Sequence, residues 1–292
     1  MLVGAVAIAG AAAQAPKPQT IAVEKVRDNY YVLMSSTPGN ADSFSGGNVG
    51  VFLTANGVVL IDTKLAAWGD TFLATVKKVA GDRPVTTIIN THTHGDHTGN
   101  NDKFAGKVEF VAHENTKANM MKMDAFKGDK AKFLPTRTYA DSLTVGSGND
   151  RIELHYFGAA HTNGDSFVVF PSLRVMQTGD AFAWKDGPRI DRMNGGSGVS
   201  YPDTLAKAAA LAKNLDVIVH GHSPIMKPAD LAEYARFTAN LLAAAQAAHK
   251  AGRNVDAAAA DAIQVASKFP GYGSERIKVA VTDIYDELNT RR

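Results

Sequence analysis

The sequence predicts an α/β fold in which two packed sheets are covered by helices. Three observations predict it: a hairpin signal near the start, a helix that leads straight into an apolar strand, and a later series of short strands with helices between them. Ile21 to Met34 alternates and is rich in Val, Ile and Tyr, which reads as extended chain. Val49 to Thr54 and Val58 to Ile61 flank Asn56-Gly57, the strongest short-range signal for an antiparallel hairpin. Trp68 to Ala80 has helical spacing at Phe72, Leu73, Val76 and Val79, is closed by Gly81 and Pro84, and precedes the strand Val85 to Ile89. A polar region runs from Asn100 to Pro135 and contains a Met-rich helix, Asn115 to Phe126. Strands follow at Leu143 to Val145, Ile152 to Phe157, Phe167 to Phe170 and Val175 to Gln177, then a helix from Pro202 to Leu215 and the strand Val217 to Val219. From Ala229 the chain is Ala-rich and helical, with further helices near Asp256 to Phe269 and Glu275 to Leu288. These form a helical extension packed on the same domain.

Composition narrows the chemistry. The chain has 292 residues, 45% hydrophobic and 21% charged, enough for a large core in a single layered unit. Its 31 basic and 29 acidic side chains leave a net charge of +2, too balanced for unspecific binding to a phosphate backbone, so no nucleic-acid partner is expected. There is no cysteine, which excludes disulfides, thiolate metal sites and a cysteine nucleophile together. Any metal must be held by His, Asp or Glu.

Residues 2–13 are an unbroken run of apolar and small residues followed by Ala13-Gln14-Ala15, the pattern of a secretory signal peptide with an A-x-A cleavage site. The run is shorter than the roughly 20 residues that span a bilayer. The expected organisation is a signal peptide over 1–15, a domain of two helix-covered sheets over 16–228 and the helical extension over 229–292. The mature chain is expected in the periplasm or outside the cell, with no membrane anchor.

The chemistry is concentrated at strand ends. Asn90-Thr91-His92-Thr93-His94-Gly95-Asp96-His97 follows the strand Val85 to Ile89 directly, placing three imidazoles and a carboxylate within six residues. His92 and His94 are alternate residues that can share a side, and Asp96 and His97 fall in the turn beyond. A His-rich surface tract would not follow a buried strand with an aspartate so interleaved. Three later positions repeat the arrangement: His161 beyond Ile152 to Phe157, Asp180 beyond Val175 to Gln177, and His222 beyond Val217 to Val219. Each alone reads as a structural histidine or a turn aspartate. Seven candidates at strand ends read as ligands, because such ligands gather at one edge of a sheet.

This constellation resembles the metallo-β-lactamase fold superfamily of hydrolases, from about Val49 to His222, through the motif His-x-His-x-Asp-His. The resemblance implies a four-layer αββα sandwich with a dinuclear metal site at its edge. His92, His94 and His161 would hold the first ion, Asp96, His97 and His222 the second, and Asp180 would bridge them. Gly47-Asn48-Val49 and Ile61-Asp62-Thr63 are also similar to the family's N-terminal half, and His220 is assigned to structure. Two Zn²⁺ per chain are implied, with Mn²⁺ or Fe²⁺ as alternatives. A hydroxide held between the ions would attack a carbonyl of a small-molecule substrate, oriented by Asp96, the catalytic residue of this reading.

Departures from the family pattern rank the substrates. Members that destroy β-lactams typically carry Cys or Ser where Asp180 stands, so Asp180 favours esters, lactones and thioesters over β-lactams. Di-iron redox members usually carry Glu where this chain has His94. Persulfide dioxygenases use a single iron, and the complete second set weighs against that alternative. No serine has a paired base, so Ser45, Ser166, Ser197 and Ser223 are read as structural. Trp68 and the Gly-rich segment Arg192 to Ser197 are candidates to line the pocket. Met120, Met121 and Met123 are read as core filling.

Overall fold

The computed structural model describes residues 20–36, 43–104, 106, 108–222 and 224–290, so the expected signal peptide over 1–15 and Ser223 lie outside the described residues. The chain enters as β1 (Val23–Arg27), β2 (Tyr30–Leu33), β3 (Val49–Thr54) and β4 (Gly57–Ile61), passes through α1 (Gly69–Ala80) to β5 (Val85–Ile89), and turns at the short α2 (Gly95–Thr98). It continues through β6 (Glu109–His113), α3 (Glu114–Met120), β7 (Arg137–Tyr139), β8 (Ser142–Val145), β9 (Ile152–His155), β10 (Phe167–Phe170) and β11 (Val175–Gly179). The last elements are α4 (Tyr201–Ala212), β12 (Val217–His220), α5 (Pro228–Lys250), α6 (Val255–Ala266) and α7 (Ile277–Thr290).

Strands β1 to β7 form one sheet in chain order, antiparallel up to β4 and parallel from β4 to β7. The second sheet runs β12-β11-β10-β9-β8, antiparallel except for the parallel pair β11 and β12. The two-residue periodicity of the strands sorts their side chains into layers. Tyr30, Val32, Phe52, Val59 and Ile61 face the second sheet's Leu154, Val168, Phe170, Val175 and Val219. On the outer face of the first sheet, Leu33, Val51, Val58 and Leu60 pack against Phe72 and Val76 of α1. Phe167, Met176 and Ile218 on the other outer face pack against Leu205 of α4, Tyr234, Phe237 and Leu241 of α5, Ala262 of α6 and Ile284 of α7. The result is the expected αββα sandwich, and the three C-terminal helices are continuous with the core of its second sheet. No helix among the described residues is long and apolar enough to cross a membrane.

Several elements differ from the sequence reading. Ile21 to Met34 is two strands, because the chain turns at Asp28-Asn29. The polar stretch Asn100 to Pro135 hides β6, whose five residues include Glu109 and His113 and so lack a continuous apolar run. The strand β7, with only three residues, was likewise invisible to periodicity. The helix expected over Asn115 to Phe126 stops at Met120 and gives way to 3-10 turns, with Met120 buried, Met123 partly buried and Met121 exposed.

One polar contact crosses the apolar layer. Tyr30 donates its hydroxyl hydrogen to Gln177 Oε1 at 2.8 Å, and Gln177 Nε2 donates to the Asn48 carbonyl at 3.1 Å, joining β2 and β11. Tyr30→Phe leaves a buried acceptor unsatisfied and is expected to lower unfolding stability by about 1–3 kcal/mol. Urea denaturation of the two proteins checks this, and an unchanged midpoint would show that the tie between the sheets contributes nothing.

Candidate metal centre

The parallel pairing of β4 with β5 and of β11 with β12 sends the C-terminal ends of these strands to one edge of the sandwich. Beyond β4 comes Asp62, beyond β5 the run Thr91 to His97, beyond β11 Asp180, and beyond β12 His222. The loop between β9 and β10 adds His161. All seven residues singled out by the sequence meet here in two groups: His92, His94, His161 and Asp180, and Asp96, His97, Asp180 and His222. Within each group the donor atoms lie within 4.8 Å of one another, and Asp180 belongs to both.

In the first group His94 Nδ1 lies 3.1 Å from His92 Nε2 and 2.9 Å from His161 Nε2, and Asp180 Oδ2 lies 3.7 Å from the latter. In the second, Asp180 Oδ2 is 3.0 Å and Asp96 Oδ2 3.3 Å from His222 Nε2, while His97 Nε2 is 3.1 Å from Asp180 Oδ1. His92, His97 and His161 are wholly buried, whereas His94, Asp96 and His222 reach the surface of a cleft.

The ring nitrogens facing away from these groups decide the tautomers. His94 Nε2 meets Asp191 Oδ2 at 2.6 Å and His161 Nδ1 meets the Arg189 carbonyl at 2.8 Å, partners that only accept. His97 Nδ1 donates to Asp62 Oδ2 at 2.8 Å. Thr91 Oγ1 donates to the same Asp62 oxygen at 2.7 Å and accepts from His92 Nδ1 at 3.1 Å. Each of these four imidazoles therefore turns a lone pair inward. Asp180 Oδ1 is buried and makes no hydrogen bond despite its proximity to His97. Converging lone pairs and an orphaned carboxylate oxygen are a donor set for divalent cations, so the residues fit the metals that the fold implies.

Electrostatics follow from burial and these carboxylates. Burial holds His92 well below its usual pKa, reinforced by the neighbouring imidazole of His97, and it brings His161 down to about 4. Burial also pushes on His97, but the Asp180 and Asp62 carboxylates outweigh it and hold that ring well above the usual range, so its inward nitrogen offers a lone pair to a cation only by giving up a proton. Asp180 is held well below the usual carboxylate range by His222 and His97 against the opposing effect of burial.

Asp62, Asp191 and Arg189 are the functional neighbours that sequence reasoning did not assign. Asp62 had appeared only as part of a family-like stretch. Its φ of 69° is an unusual backbone conformation for a non-glycine residue, held here by three hydrogen bonds to its carboxylate. Asp191 stands immediately before the Gly-rich segment. That segment, a candidate to line the cleft, is not among its lining residues and folds back so that Asn194 also donates to Asp191 Oδ2 at 2.7 Å. Trp68 is buried at the start of α1 and is not a cleft residue. His220 stands apart from both groups, stacked on Phe182 and bonded through Nδ1 to the Ala183 carbonyl at 3.2 Å. Ser45, Ser166 and Ser197 all make structural hydrogen bonds.

The cleft over the two groups has a volume of about 560 Å³ and is lined by Phe44, Leu65, Gly95, Trp184, Arg189 and Arg276 besides His94, Asp96 and His222. A sandwich with its His/Asp cluster at one edge defines a class of metal-dependent hydrolases. Residues 43–222 match the family model of the metallo-beta-lactamase superfamily, and the chain belongs to that superfamily. A type 2 metallo-beta-lactamase of Elizabethkingia meningoseptica is 24% identical over 226 residues, 76% of this chain and 86% of that protein. A metallo-beta-lactamase from Pontibacter korlensis shares the fold with a TM-score of 0.62 at 21% identity, covering 76% of this chain and all of that one. A stereoselective inverting sec-alkylsulfatase from Pseudomonas sp. matches with a TM-score of 0.73 at 14% identity, covering 91% of this chain and 50% of that one.

Asp62→Asn removes an acceptor that serves both groups and is expected to weaken divalent-ion binding by about 10- to 100-fold. Chelator competition reads this, and wild-type affinity in the variant would show that Asp62 does not orient the ligands. Gly47 has no room for a side chain, since a Cβ there would run into the His97 ring. Gly47→Ala is therefore expected to displace the His97 ring and to weaken divalent-ion binding in the same chelator competition.

Proposed function

We propose that the protein is a dinuclear-metal hydrolase acting on the carbonyl of a small ester, lactone, thioester or cyclic amide. The observation that carries this is the pair of four-residue donor groups sharing Asp180, with their outer ring nitrogens already engaged. His92, His94 and His161 would hold one ion and Asp96, His97 and His222 the other, with Asp180 common to both. The all-nitrogen-and-oxygen donor set suits two Zn²⁺, and Mn²⁺ or Fe²⁺ are compatible with it. Such ions supply a water whose pKa is brought near about 7 and Lewis-acid polarisation of the carbonyl.

The chain's own residues orient and protect. Among the described residues Asp96 is the one carboxylate lining the cleft, and its oxygen is placed to orient an attacking water and accept its proton. Asp62 and Asp191 keep the ligand imidazoles in one tautomer. Leu65, Phe44 and Trp184 give the cleft apolar walls that keep bulk water from a bound substrate. With Asp180 at the shared position, we rank esters, lactones and thioesters above β-lactams. We further propose export, on the apolar run 2–13 and Ala13-Gln14-Ala15, with a mature chain beginning at Pro16 in the periplasm or medium.

Elemental analysis of protein supplied with excess metal is expected to find two ions per chain, and one tightly held ion would overturn the dinuclear reading. His92→Ala is expected to lose the first ion and nearly all activity while circular dichroism stays native, because the ligands sit outside the apolar core; an unfolded variant would make the cluster structural. A panel of esters, lactones, thioesters, penicillins and carbapenems with Zn²⁺, Mn²⁺ and Fe²⁺ reconstitution tests the substrate ranking. Rates on β-lactams far above all others would reverse it. Asp180→Ser is expected to lose about 10- to 100-fold in activity, recovered in part by excess metal.

A further inference from the structure

We propose that the substrate carries an oxyanion group, a carboxylate or a sulfate-type terminus, which Arg189 and Arg276 hold at the mouth of the cleft. The proposal rests on the hydrolase reading above and narrows its substrate class. Both arginines line the cleft that opens over His94, Asp96 and His222. Neither makes a side-chain hydrogen bond or ion pair among the described residues, whereas the surface arginines Arg27, Arg174 and Arg253 all pair with carboxylates. Among the described residues the one carboxylate in the lining is Asp96, a ligand of the proposed metal pair, so no other described acid of the lining answers the two positive charges.

Arg276 is held in place. Its guanidinium carbon lies 3.8 Å from the centre of the Trp184 ring, and Trp184 lies nearly parallel to the ligand His222, with ring centres 5.9 Å apart. Stacking uses the face of the guanidinium and leaves its in-plane N–H donors free, the edge that forks onto a carboxylate or sulfate. The backbone beneath it is docked as well: Gly273 N donates to the Lys185 carbonyl at 2.8 Å and Arg276 N to Asp186 Oδ1 at 3.4 Å. Gly187 completes the fit, since a Cβ there would meet the backbone of Arg276 and Ile277. Arg189 is anchored through the carbonyl that fixes His161, so its side chain starts from the metal centre itself. Arg189 lies within the matched residues 43–222 and Arg276 beyond them, so the proposed charge selection is shared between the family's unit and the C-terminal segment.

The test uses the full zinc-loaded protein and three matched 4-nitrophenyl esters whose acyl chains end in a carboxylate, a sulfonate or a neutral methyl ester. At least one anionic ester is expected to exceed the neutral one in kcat/KM by about tenfold or more, with the advantage shrinking as salt is raised. The better of the two anionic esters identifies the source of the oxyanion. Arg276→Met and Arg189→Met should each collapse the anionic-to-neutral ratio, and Arg276→Lys should restore part of it. Equal rates on charged and neutral esters, or a ratio untouched by both Met variants, would overturn the proposal. Binding is read separately through quenching of Trp184 fluorescence by glutaranilic acid, a carboxylate with an amide in place of the ester, against its methyl ester, with Trp184→Phe as the control. Selective quenching without turnover of any ester would keep the anion subsite and remove the hydrolase reading. Turnover without charge preference would do the reverse.

Discussion

The direction in which four imidazole lone pairs point is the constraint on which the rest of this structure depends, and one buried carboxylate sets two of them. Asp62 Oδ2 accepts from His97 directly and, through the Thr91 hydroxyl, governs His92 as well. Its second oxygen accepts from the Thr91 backbone at 2.8 Å, so the carboxylate also holds the loop that carries the motif. A carboxylate removed from water at a strained φ is costly, and it persists because three donors, the Thr91 amide, the Thr91 hydroxyl and His97 Nδ1, need its charge and acceptor capacity. The pull of Asp62 and Asp180 on His97, against burial, is the electrostatic expression of the same arrangement.

The two sheets supply what the ligands cannot supply for themselves, a rigid edge. Parallel pairing ends β4 and β5 together, and β11 and β12 together, so residues more than a hundred positions apart in sequence meet without long loops. The C-terminal helices reach this edge indirectly. Glu287 of α7 accepts from Ser197 Oγ at 2.6 Å and from Val199 N at 3.2 Å, which pins the loop that carries Asp191. Asp191 in turn fixes His94. The extension is thus part of the catalytic scaffold as well as a cover for the second sheet, and its docking segment brings Arg276 to the cleft.

Strong periodic segments were readable from the residues alone. The hairpin around Asn56-Gly57, the helix with Phe72, Val76 and Ala80 on its buried face, and the apolar strands β10 and β11 all carry patterns dictated by local geometry. Short strands with charged members, β6 and β7, carry no such pattern, because their place in the sheet is set by neighbours rather than by their own alternation. The Gly-rich segment was a candidate for the pocket on its composition, and in the fold its Asn194 supports Asp191 behind His94.

The sequence by itself determined which donors exist and that they stand at strand ends: a cysteine-free chain with His92, His94, Asp96 and His97 in one run has few other uses for them. It also determined the hydrophobic periodicities that make two sheets and their helical covers. Only the tertiary structure decided that Asp62 and Asp191 rather than other acids orient the rings, and that Arg189, Trp184 and Arg276 share a cleft. The reason is physical. Periodicity and turn chemistry act over a few residues, whereas a hydrogen bond between His94 and Asp191 or a stack of Arg276 on Trp184 depends on where separate strands and helices end in space, and that is settled by the packing of the whole core.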